Sequence, residues 1–107
     1  MSVLIELKPR PDPLLRLIRE LSAQGKISFL PHAEIVRMPQ RGFNIFDARD
    51  VLAFGMISGP IERGAYAGEW KVKIVGPVDG TSRKMGVVVI VVRTTRLLIK
   101  TTEWEDR

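Results

Sequence analysis

His32, Glu34, Arg37 and Arg41 fall within ten residues of one another. Histidine is the side chain whose charge changes near neutrality, so it serves as a general base or acid. Guanidinium groups beside it hold phosphate oxygens and offset the charge that develops in phosphoryl transfer. Together they form the smallest kit for metal-free RNA cleavage: His32 and Arg41 as catalytic groups, Arg37 on a phosphate. The same residues have a plainer use. A lone histidine near a helix start caps or packs more often than it catalyses. Arg37 and Arg41 equally suit a solvated face, paired with Glu34 and Asp47.

A second group lies further on. Tyr66 and Trp70 flank Gly68-Glu69. Either ring has a π-face on which a base could stack, and the Tyr66 hydroxyl could assist catalysis. Lys71 and Lys73, two apart, share one strand face and would hold an RNA backbone. Against this stand core or sheet-edge packing for the aromatics and simple solvation for the lysines. The acidic stretch Glu103-Trp104-Glu105-Asp106 is suited to lie against that basic face.

These side chains must be positioned by a chain of 107 residues, the size of one domain, 1–107. Hydrophobic content of 45% and charged content of 27% exclude a disordered chain or a fibre. There is no cysteine, so disulfide frameworks, thiol catalysis and cysteine-ligated zinc are excluded. With one histidine, no metal site and no cofactor is expected. The longest apolar run, 85–92, is far short of the roughly 20 residues that span a bilayer. A cytoplasmic chain without a membrane partner is expected. Seventeen basic residues against twelve acidic give a net charge of +5, and eleven of the basic residues are arginine. Such an excess suits an anionic partner but is also ordinary solubility charge.

Asp12-Pro13 reads as a helix start, with the aspartate as cap. Leu14, Leu15, Leu17, Ile18 and Leu21 follow as an apolar stripe, and Gly25 ends the helix. Residues 27–29 form a short extended piece. Residues 31–38 read as a second helix, stopped by Pro39. Asn44 caps a third, whose apolar side is Ile45, Phe46, Ala48, Val51, Leu52 and Phe54, ending at Gly55. Strands are expected over 57–66, weakened by Gly59-Pro60 and Gly64, and over 70–75, with Trp70, Val72 and Ile74 on one face. Asp79-Gly80 is a turn signal. Residues 85–93 are apolar on both faces and belong mid-sheet; 97–104 is the last strand. The fold expected is α+β: two or three N-terminal helices, then an antiparallel sheet of about four strands. The second face of the 87–92 run must be covered by another element, a second copy or a partner.

Ile27-Ser28-Phe29, His32-Ala33, Arg37-Met38, Arg41-Gly42, Asp50-Val51 and Gly55-Met56-Ile57 resemble a small bacterial family of uncharacterised domains, DUF4258-like. Trp70-Lys71, the Asp79-Gly80 turn, the valine-rich strand from Gly86 and the closing stretch from Ile99 to Asp106 are also similar, so the likeness covers 27–106. That family usually has two residues between Ala and Arg-Met; here there are three, Glu34-Ile35-Val36. Pro39 stands where the family has a helix-compatible residue. The layout looks like the BrnT and RelE/ParE-type toxins of toxin–antitoxin pairs. The resemblance implies a toxin-like, metal-independent ribonuclease or RNA-binding protein. The alternative is a non-enzymatic module that forms a homodimer through the sheet or binds an antitoxin-like protein.

Overall fold

A computed structural model describes residues 8–31, 42, 44–78 and 83–105. The first helix, α1 (Pro11–Ala23), starts two residues earlier than expected, with Arg10 rather than Asp12 as its cap. Arg10 precedes a proline and is held extended, at φ −76 and ψ 151. Pro11 takes the first helical position, where its missing N–H costs nothing. Asp12 therefore sits inside the first turn, favourably placed at the positive end of the helix dipole. The far end closes on Gly25, at φ +76. The Lys26 amide donates to the Leu21 carbonyl (2.9 Å) and the Gly25 amide to Ser22 (3.0 Å), the paired bonds of a Schellman stop.

The next element is β1 (Ile27–Phe29). The expected helix over 31–38 lies outside the described residues, Pro31 apart. The following helix, α2 (Ile45–Phe54), carries the predicted Asn44 cap. The Asp47 amide donates to Asn44 Oδ1 and the Asn44 amide to Asp47 Oδ2, each at 3.0 Å. This reciprocal box satisfies two otherwise orphaned donors. Ala48, Val51 and Leu52 are fully buried. Three of the other apolar residues are not on the core side: Phe46 is 71% exposed, Phe54 74% and Ile45 38%. Helical spacing puts Phe46 opposite the buried side of α2.

Four strands follow in a meander: β2 (Met56–Arg63), β3 (Glu69–Pro77), β4 (Lys84–Val92) and β5 (Arg96–Trp104). They pair antiparallel in sequence order, as expected. The sheet nevertheless has five strands and is mixed, in the order β1-β5-β4-β3-β2. β1 adds to the far edge, parallel to β5, with Ile27 beside Leu97. The pairing of β2 with β3 is interrupted between Ser58 and Glu62, across Gly59 (φ +85) and Pro60. Proline has no ladder donor, so the break blunts this exposed edge.

Both described helices pack on one face of the sheet. Val72, Ile74, Met85, Val87, Val89, Val91, Leu97 and Ile99 meet Ile18, Leu21, Ala48, Val51 and Leu52 in one hydrophobic cluster. Gly55 and Gly76 allow the close approach of α2 to β3. A Cβ on Gly55 would lie 2.6 Å from the Val51 carbonyl oxygen and 2.7 Å from that of Val75. Arg19 of α1 ties the helices together by donating from Nη2 to the Gly55 carbonyl at 2.9 Å. Alternation along β4 sends Val88, Ile90 and Val92 to the other face, where they are half-buried. Neither described helix covers that face. Among the described residues, no helix is long and apolar enough to cross a membrane.

Candidate nucleic-acid interface

The β2–β3 connection, from Gly64 to Gly68, carries Tyr66 at its tip with 76% of its surface exposed. Its backbone is pinned while its ring is free. The Tyr66 amide donates to Glu69 Oε1 (3.3 Å), and the Glu69 amide donates to the Tyr66 carbonyl (3.2 Å). The Gly64 amide reaches the Glu69 carbonyl at 2.9 Å. A Cβ on Gly64 would sit 2.5 Å from that of Glu69, so glycine is what lets the loop close this tightly. No described residue bonds the Tyr66 hydroxyl.

The β4–β5 turn stands beside this loop. The Arg93 amide donates to the Gly68 carbonyl at 2.9 Å, and the Arg93 side chain runs past Gly68. The turn closes with the Thr95 amide on the Val92 carbonyl, also 2.9 Å. Arg93 (φ 50) and Thr94 (φ 60) both occupy the left-handed region. A two-residue hairpin turn needs this geometry and ordinarily uses Asn-Gly for it. For a β-branched threonine it is strained. Arg96 follows at the base of the turn, and Lys26 lies alongside, its carbonyl accepting from the Leu97 amide at 2.8 Å. Arg93, Arg96 and Lys26 make no ion pair among the described residues. Arg63, on the other side, stacks over the Trp70 ring at 5.1 Å. One end of the sheet thus presents an exposed aromatic ring among guanidinium groups.

The remaining site residues are distributed differently. Lys71 and Lys73 share the face away from the helices, as their spacing implied, but both meet carboxylates. Lys71 lies 3.6 Å from Glu62. Lys73 Nζ sits 2.8 Å from Glu105 and 3.1 Å from Glu103. The hydrogen bond to Glu105 contributes most to raising the Lys73 pKa above its ordinary value; burial opposes it, and Glu103 adds to it. The acidic tail therefore does lie against the basic stripe. Gly86 makes room for it, since a Cβ there would meet Glu105 Oε2 at 2.5 Å. Trp70 is half-buried and packs against the core, so its face is not open for a base. His32, Arg37 and Arg41 lie outside the described residues.

Compared with protein-family models, curated proteins and solved structures, the chain matches none. The likeness to the DUF4258-like domains rests on the residues quoted for it alone.

Sequence reasoning overlooked Arg63, Arg93, Arg96 and Lys26. The signal was there for two of them: Arg93 and Arg96 bracket a connection too short for anything but a tight hairpin. What the sequence did not give was the neighbour, because Gly68 and Arg93 meet only through strand register.

Proposed function

We propose that this chain is a cytoplasmic RNA-binding domain that takes single-stranded RNA at the Tyr66 end of its sheet. The observation that carries this is the Tyr66 ring: 76% exposed, on a loop pinned by Glu69 and bonded to the turn that bears Arg93. An aromatic side chain on a pinned backbone has only two torsions left to fix, so little entropy is lost when a base stacks on it. Such a stack contributes about 1–3 kcal/mol and is tolerant of sequence. Arg93, Arg96 and Lys26 would meet the phosphates on either side. Lys71 would add to the track at a lower effective charge, because Glu62 shares it; Lys73 is largely neutralised by Glu103 and Glu105. RNA cleavage, with His32 and Arg41 as catalytic groups, Arg37 on phosphate and Tyr66 assisting, is the stronger form of the same reading. It draws support from the resemblance to toxin-like domains.

Fluorescence anisotropy with labelled single-stranded RNA, duplex RNA and single-stranded DNA tests the binding. Single strands should bind more tightly than duplex, and affinity should fall between about 50 mM and about 200 mM salt. Equal, weak association with all three would reduce the basic end to solubility charge. Incubating the same RNA with wild type, His32→Ala and Arg41→Ala tests cleavage: turnover by wild type alone supports it, and equal products from all three refute it.

A further inference from the structure

On the face of the sheet away from the helices, the middle strand is apolar where it should be polar. Antiparallel sheets with one wet face alternate hydrophobic and polar residues, yet β4 has no polar side chain after Lys84. Val88, Ile90 and Val92 run down its outer side. Leu98 on β5 extends the strip directly beside Ile90 in register, whereas on β3 the three residues lie beside Lys73, Lys71 and Glu69. The strip lies on the middle strand of five. Charged groups frame it: Glu69 and Lys71 on one side and Arg96 on the other, while at the Gly86 end Lys73 crosses β4 to meet Glu103 and Glu105. An apolar centre with a charged rim is the anatomy of a protein interface.

We infer that this face packs against the same face of a second copy of the chain. The central position of the strip makes it self-complementary: a twofold axis along β4 stacks β4 on its own counterpart, as an isologous contact requires. That operation lays β3 of one copy against β5 of the other. Glu69 and Arg96 flank Val92 in a single row, one on β3 and one on β5. Across the interface each therefore faces its opposite charge. The footprint is sufficient. Three nine-residue strands cover about 30 Å by about 14 Å on each copy. With side-chain relief, two copies bury about 1,000 Å², the lower bound for a specific association. The dimer leaves the Tyr66 loop, Arg93 and Lys26, at the end of the sheet, uncovered, and withdraws Arg96 from the proposed RNA track.

Sedimentation of the full chain over a concentration series should show a monomer–dimer equilibrium. Ile90→Lys should weaken it at least tenfold while the circular dichroism spectrum is unchanged. Because the chain has no cysteine, one introduced thiol reports proximity even if the lysine variant fails to fold. Ile90→Cys should be linked into a dimer by a bis-maleimide of about 10 Å span, the spacing of stacked sheets; Phe46→Cys, on the outward side of α2, should not. A monomer at every concentration would overturn the inference and assign the face to the chain's own remaining residues or another partner. Linking through Phe46→Cys but not Ile90→Cys would overturn it in favour of a contact through α2.

Discussion

The Arg93 amide donates to the Gly68 carbonyl across 2.9 Å, so turns belonging to two different hairpins are fixed to one another. The Tyr66 loop takes its position from this bond and from Glu69. The left-handed residues Arg93 and Thr94 bring a guanidinium group to the side of the exposed ring. A hairpin selected for stability alone would carry Asn-Gly at these two positions. That it carries an arginine and a threonine is consistent with a turn kept for contact with a ligand.

Replacing the turn by Asn-Gly, as the double variant Arg93→Asn/Thr94→Gly, should relieve the backbone strain and stabilise the fold by about 1–2 kcal/mol. Thermal denaturation should then show a midpoint raised by several degrees. RNA affinity should fall in the same variant. A lowered midpoint would show that the turn is not strained.

Gly55→Ala should destabilise the chain by about 1–3 kcal/mol, the range for forcing atoms into a closed contact. The added methyl meets two carbonyl oxygens and the Ile74 side chain. Denaturant titration reads the loss directly. A neutral outcome would mean that α2 can lift off β3 without cost.

Asn44→Ala should cost about 1 kcal/mol, since it leaves the Asp47 amide without its acceptor at the start of α2. Asn44→Ser should recover most of this loss. Equal stability of all three proteins would show the box to be ornamental.

The stability contributed by Lys73 should fall at the alkaline end of the pH range. Its hydrogen bond to Glu105, with Glu103 behind it, raises its pKa in the fold above the ordinary 10.5. A cation whose pKa is raised by folding stabilises fully below its unfolded pKa and loses that contribution as pH rises through the folded value. Wild type should therefore exceed Lys73→Met in denaturation midpoint at neutral pH, and the gap should close above about pH 10.4. A gap constant across that range would show that the ion pairs contribute nothing.

Much of the architecture was legible in local chemistry. Asn44 before an apolar run announced the start of α2. The alternation of Val72 and Ile74 with Lys71 and Lys73 announced β3 and its two faces. The apolar run through Val87, Val89 and Val91 announced a central strand. Features set by distant contacts were not legible. Nothing near Ile27–Phe29 says that this segment pairs parallel to β5, because its partners lie at the other end of the chain. Phe46 and Phe54 read as core by residue type and are solvent-facing by helical angle. At the candidate site, Tyr66 was found by type and the acidic stretch from Glu103 was expected on the basic face, whereas Glu62 reaches Lys71 only through the β2–β3 register.

The role of the exposed ring is tested most directly by titrating single-stranded RNA into wild type, Tyr66→Phe and Tyr66→Ala. Stacking requires the ring and not the hydroxyl. Tyr66→Phe should bind as wild type does, and Tyr66→Ala should bind about 5- to 150-fold more weakly, the equivalent of one lost base stack. Wild-type affinity in Tyr66→Ala, with its fold intact, would contradict the account.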